Sequence, residues 1–253
     1  MKKIILTAAA VFAFSFANAQ DLKSKKGEPY LPEAGDWAIS FNANGIFNYV
    51  GNAFNGSLAN TAPTVASATP NSFVGKKFID AKTAYRVVAN FGFGSENLTN
   101  GVVLADDVNP ITGLAIPGTG LTYDTYKAST FNITAGLGKE WRRGSTRLQG
   151  FYGADALIGF SSTKWEQTNK PVNIKFDAGT SFSLGVTGFI GAEYFLFPKI
   201  SIGAQYNYGL QIASNGASKI SAPGAPDFTV SKSSTDFNLG NVTSASMNLT
   251  LHF

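Results

Sequence analysis

Apolar and polar residues alternate with period two along most of the chain after Asp36. In the clearest run, 200–212, Ile200 and Ile202 share one face while Ser201 and Gln205 share the other. Alternation of this kind predicts β-strands that have one apolar and one polar face. The same pattern predicts eight strands, at 37–49, 72–79, 84–95, 125–141, 147–162, 178–197, 200–213 and 241–253.

The connections between these strands alternate in length. Three are short, at 80–83, 142–146 and 198–199, and four are long, at 50–71, 96–124, 163–177 and 214–240. Short turns at one end and long loops at the other are typical of outer-membrane barrels, which place the turns in the periplasm and the loops outside the cell. An even number of strands returns both ends of the chain to the periplasm.

The direction of the apolar face separates a soluble barrel from a membrane barrel. In a soluble barrel of the lipocalin type the apolar side chains point inward and charged side chains cover the outside. Here the polar faces carry mostly Gly, Ser, Thr, Asn and Gln, together with most of the charges found in strands. Small side chains and paired charges suit a narrow interior, and most of the strands are long enough to cross a bilayer at a tilt. We therefore predict an all-β fold, an eight-stranded antiparallel up-and-down transmembrane β-barrel over residues 37–253.

Five charged residues fall on the polar faces and are predicted to line the lumen of this barrel. They are Arg86, Glu140, Arg147 and Glu193 near the periplasmic end, and Asp155 nearer to mid-strand. The interior of an eight-stranded barrel is just filled by its own side chains, so charges buried there have to be paired. The pattern favours an interlocked charge layer that plugs the bore, and the alternative is a gated narrow pore.

Aromatic residues concentrate near the predicted strand ends, as in the interfacial girdles of membrane barrels. They are Trp37, Tyr49, Tyr85, Trp141 and Tyr194, together with the terminal Phe253.

The first nineteen residues have the pattern of a secretory signal peptide. Lys2 and Lys3 precede an apolar run at 4–16, and Ala17 and Ala19 form an Ala-x-Ala cleavage site. We expect residues 1–19 to be removed and residues 20–36 to form a periplasmic lead-in.

Composition excludes several classes of protein. The chain has no cysteine and a single histidine, His252, which removes a disulfide framework and nearly excludes His-based metal sites and Ser-His or Cys-His catalysis. Its aromatic content and its low charge exclude a disordered chain, and the net charge of +4 is not a nucleic-acid signature. We expect no enzymatic activity, no cofactor, no metal and no nucleic-acid partner.

Four stretches resemble the small outer-membrane β-barrel proteins of Bacteroidota-type bacteria. They are 35–39, 147–154, 188–195 and the last five residues, an alternating strand that ends in Phe253. The resemblance implies location in the bacterial outer membrane and contact with its lipid and lipopolysaccharide. It also implies recognition by the barrel-assembly machinery, for which Phe253 is the signal. Because most members of this family have no defined function, the resemblance carries over no active site.

Two functions remain open at this point. The first is a structural or interaction-bearing outer-membrane protein, whose activity lies in its extracellular loops or in a larger complex with another outer-membrane protein. The second is a narrow pore or transporter for small or hydrophobic solutes.

Overall fold

A computed structural model describes residues 22–54, 73–103, 107–116, 118, 121–169, 172–240 and 244–253. Within these ranges the chain is almost entirely antiparallel β-sheet with one helix. The predicted signal peptide and much of the predicted loop 50–71 lie outside the described residues. The elements are β1 (Trp37–Asn42), α1 (Asn44–Phe54), β2 (Phe73–Asp80), β3 (Thr83–Val103), β4 (Asp107–Val108), β5 (Ala115–Ile116), β6 (Leu121–Arg143), β7 (Leu148–Asn169), β8 (Val172–Phe197), β9 (Ile200–Asn215), β10 (Ser218–Ser221), β11 (Phe228–Ser231), β12 (Ser234–Leu239) and β13 (Ser244–His252).

Eight of these strands pair into a closed ring. The order around the ring is β1, β2, β3, β6, β7, β8, β9 and β13, and β13 pairs again with β1. Every pairing in it is antiparallel. The first and last strands are joined at their ends by two hydrogen bonds between the backbones of Trp37 and Phe253, at 2.8 and 2.9 Å. The prediction of an all-β fold is confirmed, and eight strands form this ring.

The main sheet holds eleven strands rather than the predicted eight. The three additional strands, β10, β11 and β12, lie in 214–240, which was predicted as a loop. β10 pairs with β8 beyond the residues of β8 that pair with β9. β12 likewise pairs with β9 beyond the residues of β9 that pair with β13. The prediction of a loop was wrong because these strands are only four to six residues long and lie among Gly, Pro and Ser, although Phe228 and Val230 on β11 do alternate with polar residues.

Two other predicted loops are also mostly strand. β3 and β6 remain paired from Thr83 with Trp141 as far as Val103 with Leu121, and a small β4–β5 hairpin follows β3. β7 and β8 pair as far as Asn169 with Val172. The predicted loops 96–124 and 163–177 therefore extend the sheet well past the ring. The short connections lie where they were predicted, at 81–82, 144–147 and 198–199, and we call this end of the ring the short-turn end.

The first strand is shorter than predicted. β1 ends at Asn42 rather than at residue 49, and α1 follows. The Asn42 side chain accepts a hydrogen bond from the Asn44 amide at 3.0 Å, and the Phe47 amide donates to the Ala43 carbonyl. The first contact satisfies one of the amides that the first turn of a helix leaves free, and the second is the first hydrogen bond of the helix itself. Tyr49 consequently lies on α1 and not at the end of a strand.

The two faces of the ring differ sharply. The inward face buries aromatic rings, including Phe78, Phe151, Phe189 and Phe195, each at most 5% exposed. The outward face exposes large apolar side chains on successive strands. Examples are Tyr85, Val87, Phe91, Phe93, Leu137, Ile158, Val186, Ile190 and Tyr206. The apolar face of the alternating pattern thus lies outside, and the polar face lies inside.

Candidate functional site

Six charged side chains meet inside the ring near the short-turn end. We call them the interior charge cluster. It consists of Lys76 on β2, Arg86 on β3, Glu140 and Arg142 on β6, Asp155 on β7 and Glu193 on β8, and none is more than 4% exposed. Three cations face three carboxylates, so the formal charge of the cluster is zero. This balance is what a buried group of ions requires, because an uncompensated charge in the interior is strongly unfavourable.

Glu140 is the centre of the interior charge cluster. Its carboxylate lies 3.0 Å from Lys76 Nζ, 2.8 Å from Arg86 Nη1 and 3.0 Å from Arg142 Nη1. The three cations come from three different strands, and Glu140 itself is fully buried. One carboxylate therefore ties β2, β3 and β6 together across the interior.

Arg86 connects Glu140 to the next carboxylate. Its Nη2 donates to one oxygen of Asp155 at 3.3 Å, and its Nε lies 3.2 Å from the other oxygen as an ion pair without a hydrogen bond. Nη1 also donates to the amide oxygen of Gln205 at 3.3 Å. The guanidinium lies 3.8 Å from the centre of the Phe189 ring, so it is held by ions on its edge and by an aromatic ring on its face.

Arg142 continues the network to Glu193. Its Nη2 donates a short hydrogen bond to one carboxylate oxygen of Glu193. The other oxygen of Glu193 accepts from the Ser201 hydroxyl and lies 3.5 Å from His252 Nε2. This part of the cluster joins β6, β8, β9 and β13, so the network reaches around most of the ring.

Glycines on the inward face make room for the cluster. A Cβ at Gly138 would collide with the Asp155 carboxylate, and a Cβ at Gly153 would collide with the Phe189 ring. Phe189 is the ring that stacks on Arg86. The small residues of the alternating pattern therefore determine where the large inward side chains fit.

The space left beside the cluster is about 10 Å³. The residues around it include Lys76, Arg86, Phe151, Glu193 and Gln205. A cavity of this size holds at most about one water molecule. The side chains around this pocket are therefore closely packed.

Four of the five predicted lumen charges are brought together: Arg86, Glu140, Asp155 and Glu193. The fifth, Arg147, precedes β7, and its guanidinium lies 3.6 Å from the ring centre of Tyr30 in the N-terminal segment. The cation that joins Glu140 to Glu193 is Arg142 instead.

Sequence reasoning missed Lys76 and Arg142. Arg142 was assigned to a turn, but β6 continues to Arg143, so Arg142 keeps the inward parity of Glu140. Lys76 lies on the same buried face of β2 as Val74 and Phe78. In both cases the alternation along the strand, which places every second residue on the inward face, was the signal that could have identified the residue.

Ser201, His252 and Glu193 lie close together but do not form a nucleophile–base–acid relay. Such a relay needs the serine on one imidazole nitrogen and the carboxylate on the other. Here Ser201 Oγ at 3.1 Å and Glu193 at 3.5 Å both approach Nε2, and Nδ1 of His252 is buried without a hydrogen-bond partner. All three side chains are nearly inaccessible. The arrangement supports packing of the interior rather than nucleophilic chemistry.

Three of the predicted interfacial aromatics, Trp37, Tyr85 and Trp141, lie on the outward face near the short-turn end. Trp37 and Tyr85 are more than half exposed. Lys77 Nζ lies 4.5 Å from the Trp37 ring centre, and Lys139 Nζ lies 5.4 Å from that of Trp141. Cations and aromatic rings thus alternate around this rim.

The other predicted aromatics have different positions. Tyr194 pairs with Leu148 on the outward face of β8 and is half-buried, and Phe253 ends the chain at the same rim with a half-exposed side chain. Tyr49 lies on α1, as described above.

Comparisons with family models, with curated proteins and with solved structures found no match for this chain. Within the described ranges, no helix is both long and apolar enough to span a membrane. The described residues also contain no group of three or more His, Asp and Glu side chains arranged to hold a metal ion.

Proposed function

We propose that this protein is an integral β-barrel of the bacterial outer membrane whose lumen is closed by the interior charge cluster. Its role is structural or interaction-bearing, through the long strand extensions at the end opposite the short turns or as a subunit of a larger outer-membrane complex. The observation that carries the proposal is the outward apolar face of the ring.

The exposed apolar side chains are too large and too continuous for a surface in water. Phe93 is 79% exposed, Leu137 69%, Phe91 68% and Ile190 64%. A soluble monomer rarely exposes a contiguous apolar patch of more than a few hundred square ångströms. Hydrocarbon chains of a bilayer are the partner that such a surface fits, because they cover it on all sides.

The height of this apolar face matches a membrane. On the outward face of β6, Phe131 lies ten residues before Trp141, and the side chains between them include Leu137 and Ile133. Ten residues at ~3.3 Å each, tilted by ~40°, span about 25 Å along the barrel axis. That is the height of the apolar band on outer-membrane barrels.

The rim at the short-turn end fits a membrane–water interface. Trp37 with Lys77 and Trp141 with Lys139 pair an aromatic ring with a cation. Arg143 donates to the Tyr152 hydroxyl at 3.2 Å. Long cationic side chains of this kind lay their stems along apolar surface and reach water or phosphate with their charged ends.

The interior charge cluster supports the closed state of the proposed barrel. Its ion pairs cross the bore and leave a space for about one water molecule. Ions and solutes would have to break these pairs to pass. A barrel with this interior acts through its outer surfaces, and the barrel-assembly machinery would insert it with Phe253 as the signal.

Membrane fractionation tests the proposal. The full chain, expressed with its own N-terminus in a bacterium with two membranes, should appear in the outer-membrane fraction and resist extraction by urea. Its mobility on a gel should change on boiling, as it does for folded barrels. A folded protein that urea releases, or one found in the inner membrane, would contradict the proposal.

One feature favours the transporter alternative. β1 has six residues and β2 has eight, whereas β3 has 21. Among the described residues, no strand pairs with β3 on that side beyond Ala89. A hydrophobic solute could enter the barrel sideways above this level. Planar-bilayer recording and uptake of an apolar dye into vesicles separate the two functions, because a closed barrel gives neither conductance steps nor uptake.

A further inference from the structure

A ladder of charges lies on the outward face immediately beyond the apolar band, at the end opposite the short turns. We call it the distal charge ladder. It has two rows of neighbouring residues, Lys164, Asp177 and Lys219 on β7, β8 and β10, and Lys127, Glu166 and Lys175 on β6, β7 and β8. Each carboxylate has a lysine on both sides, so the ladder carries four positive charges and two negative ones.

The ladder is close to the proposed lipid-facing surface. Lys164 lies four residues beyond Phe160 on β7, and Lys127 lies four residues beyond Phe131 on β6. Phe131 and Phe160 are both more than 40% exposed. Four residues of a tilted strand correspond to about 10 Å of height, which is within reach of the head groups of the outer leaflet.

The lysines are available to a ligand. The side chains of Lys164 and Lys175 are 62% and 65% exposed, although they contact Asp177 at 2.9 Å and Glu166 at 3.4 Å. Lys127 and Lys219 form no ion pair with the described residues. Exposed pairs of this kind contribute little to stability, so holding the strands together does not account for the surplus of lysines.

The two carboxylates hold neighbouring lysines in place but do not cancel the positive charge of the ladder. The hydrogen bond from Lys164, together with one from the Gly179 amide, holds the pKa of Asp177 below its ordinary value, so Asp177 keeps its charge. On the opposite face of the same strands, the rings of Trp165 and Phe176 stack at 5.2 Å. The lysines therefore stand on a stiffened part of the sheet.

A groove of about 700 Å³ lies at this level, and its charged lining residues are Lys127, Lys164 and Lys175 together with Glu96, Glu166 and Asp177, so the positive surplus of the ladder comes from Lys219 at the side of the groove. This volume is typical of sites for small molecules and suits a phosphorylated sugar head group. Lysine ammonium groups bind phosphate as point charges, and several of them around one groove bind a bisphosphorylated group best.

We propose that the distal charge ladder binds the phosphates of a lipopolysaccharide in the outer leaflet. This inference rests on the proposed function, because the lipid chains would lie on the apolar band below the ladder. The phosphates would contact Lys127, Lys164 and Lys175 in the groove, and Lys219 would add positive charge at its side.

Native mass spectrometry of the purified, detergent-folded full chain tests the ladder. The probes are bisphosphorylated lipid A, the same lipid without its phosphates, phosphatidylglycerol and inorganic phosphate. The variant is K127Q/K164Q/K175Q, and the matched control is K23Q/K25Q/K26Q, which removes the same charge from exposed positions of the N-terminal segment. We expect the variant to bind bisphosphorylated lipid A at least tenfold more weakly than the wild type, and the control to bind it within twofold of the wild type.

Three outcomes would overturn the inference. They are an unchanged affinity of the ladder variant, an equal loss in the control, and equal binding of phosphatidylglycerol or of the lipid without phosphates. If inorganic phosphate binds as tightly as lipid A, the lipid is not the ligand. Gel mobility and urea extraction of the same variants keep the two proposals apart. A ladder variant that stays in the membrane and binds lipid A normally refutes the ladder alone, whereas a wild type that urea releases refutes the proposed function.

Discussion

Replacing Glu140 by Gln tests whether the interior charge cluster holds the ring together. The change keeps the size of the side chain but leaves Lys76, Arg86 and Arg142 facing only Asp155 and Glu193. Removing one partner from a buried ion pair costs ~3–5 kcal/mol, because the other charge is left uncompensated. Glu140 is fully buried and contacts three cations, so we expect a loss in this range.

Urea titration of protein folded into lipid vesicles measures the free energy of unfolding, with tryptophan fluorescence as the signal. The control is Asp227→Asn, which removes a carboxylate from an exposed turn and should change the free energy little. If Glu140→Gln is as stable as Asp227→Asn, the cluster does not stabilise the ring.

A second variant separates lost charge balance from damaged packing. In K76M/E140Q the lysine paired with Glu140 is removed as well, which restores two cations to two carboxylates. We expect this double variant to recover at least about 1 kcal/mol relative to Glu140→Gln, since neighbouring charges couple. If the losses in the free energy of unfolding caused by the two substitutions simply add, the electrostatic explanation is refuted and packing explains the loss.

Two further predictions concern ring closure and packing. Deleting Phe253 removes both backbone hydrogen bonds to Trp37, whereas Phe253→Ala keeps them. The deletion should therefore slow membrane insertion more than the substitution does. Equal insertion rates in a pulse-chase assay would show that closure of the ring does not depend on these bonds. Gly153→Ala should lower the free energy of unfolding by ~1–3 kcal/mol, because the new methyl group would collide with the Lys139 carbonyl and the Phe189 ring. Gly75→Ala should cost less, because the nearest atom to its new methyl group is the Val87 carbonyl oxygen at 3.9 Å, an ordinary contact. The reverse order in urea titration would contradict the packing described here.

The ring could be predicted from the sequence because its two faces lie in different surroundings. Along β9, Ile202 and Tyr206 alternate with Ser201 and Gln205, and the structure places the first pair outside and the second inside. A period of two identifies such strands regardless of which face is buried. It predicts much less for strands of only four to six residues among Gly, Pro and Ser, which is why β10, β11 and β12 were predicted as loop.

The helix after β1 could not be predicted from alternation. In the sequence, Ala43, Phe47 and Tyr49 fit a strand of period two. In the structure, the Asn42 side chain accepts a hydrogen bond from the Asn44 amide, and a helix begins there instead. A side-chain hydrogen bond of this kind is local chemistry that a pattern of apolar positions does not encode.

Most of the interior charge cluster could be predicted from parity. Glu140 and Glu193 were predicted on the polar, inward face of long strands, and the structure buries both. Arg142 and Arg147 depend on where β6 ends and β7 begins. Because β6 extends two residues further than predicted and β7 begins at Leu148, Arg142 joins the cluster and Arg147 contacts Tyr30.

Spin labels on the outward face measure directly whether this face contacts lipid, and they can be placed singly because the chain has no cysteine of its own. Single cysteines at Leu137 and Ile190 would place labels in the apolar band, and one at Ser95 would place a label beyond it. In vesicles, we predict that oxygen, which concentrates in lipid, relaxes the labels at 137 and 190 strongly, whereas a water-soluble nickel chelate relaxes only the label at 95. Equal access of the nickel chelate to all three positions would contradict a lipid-facing band.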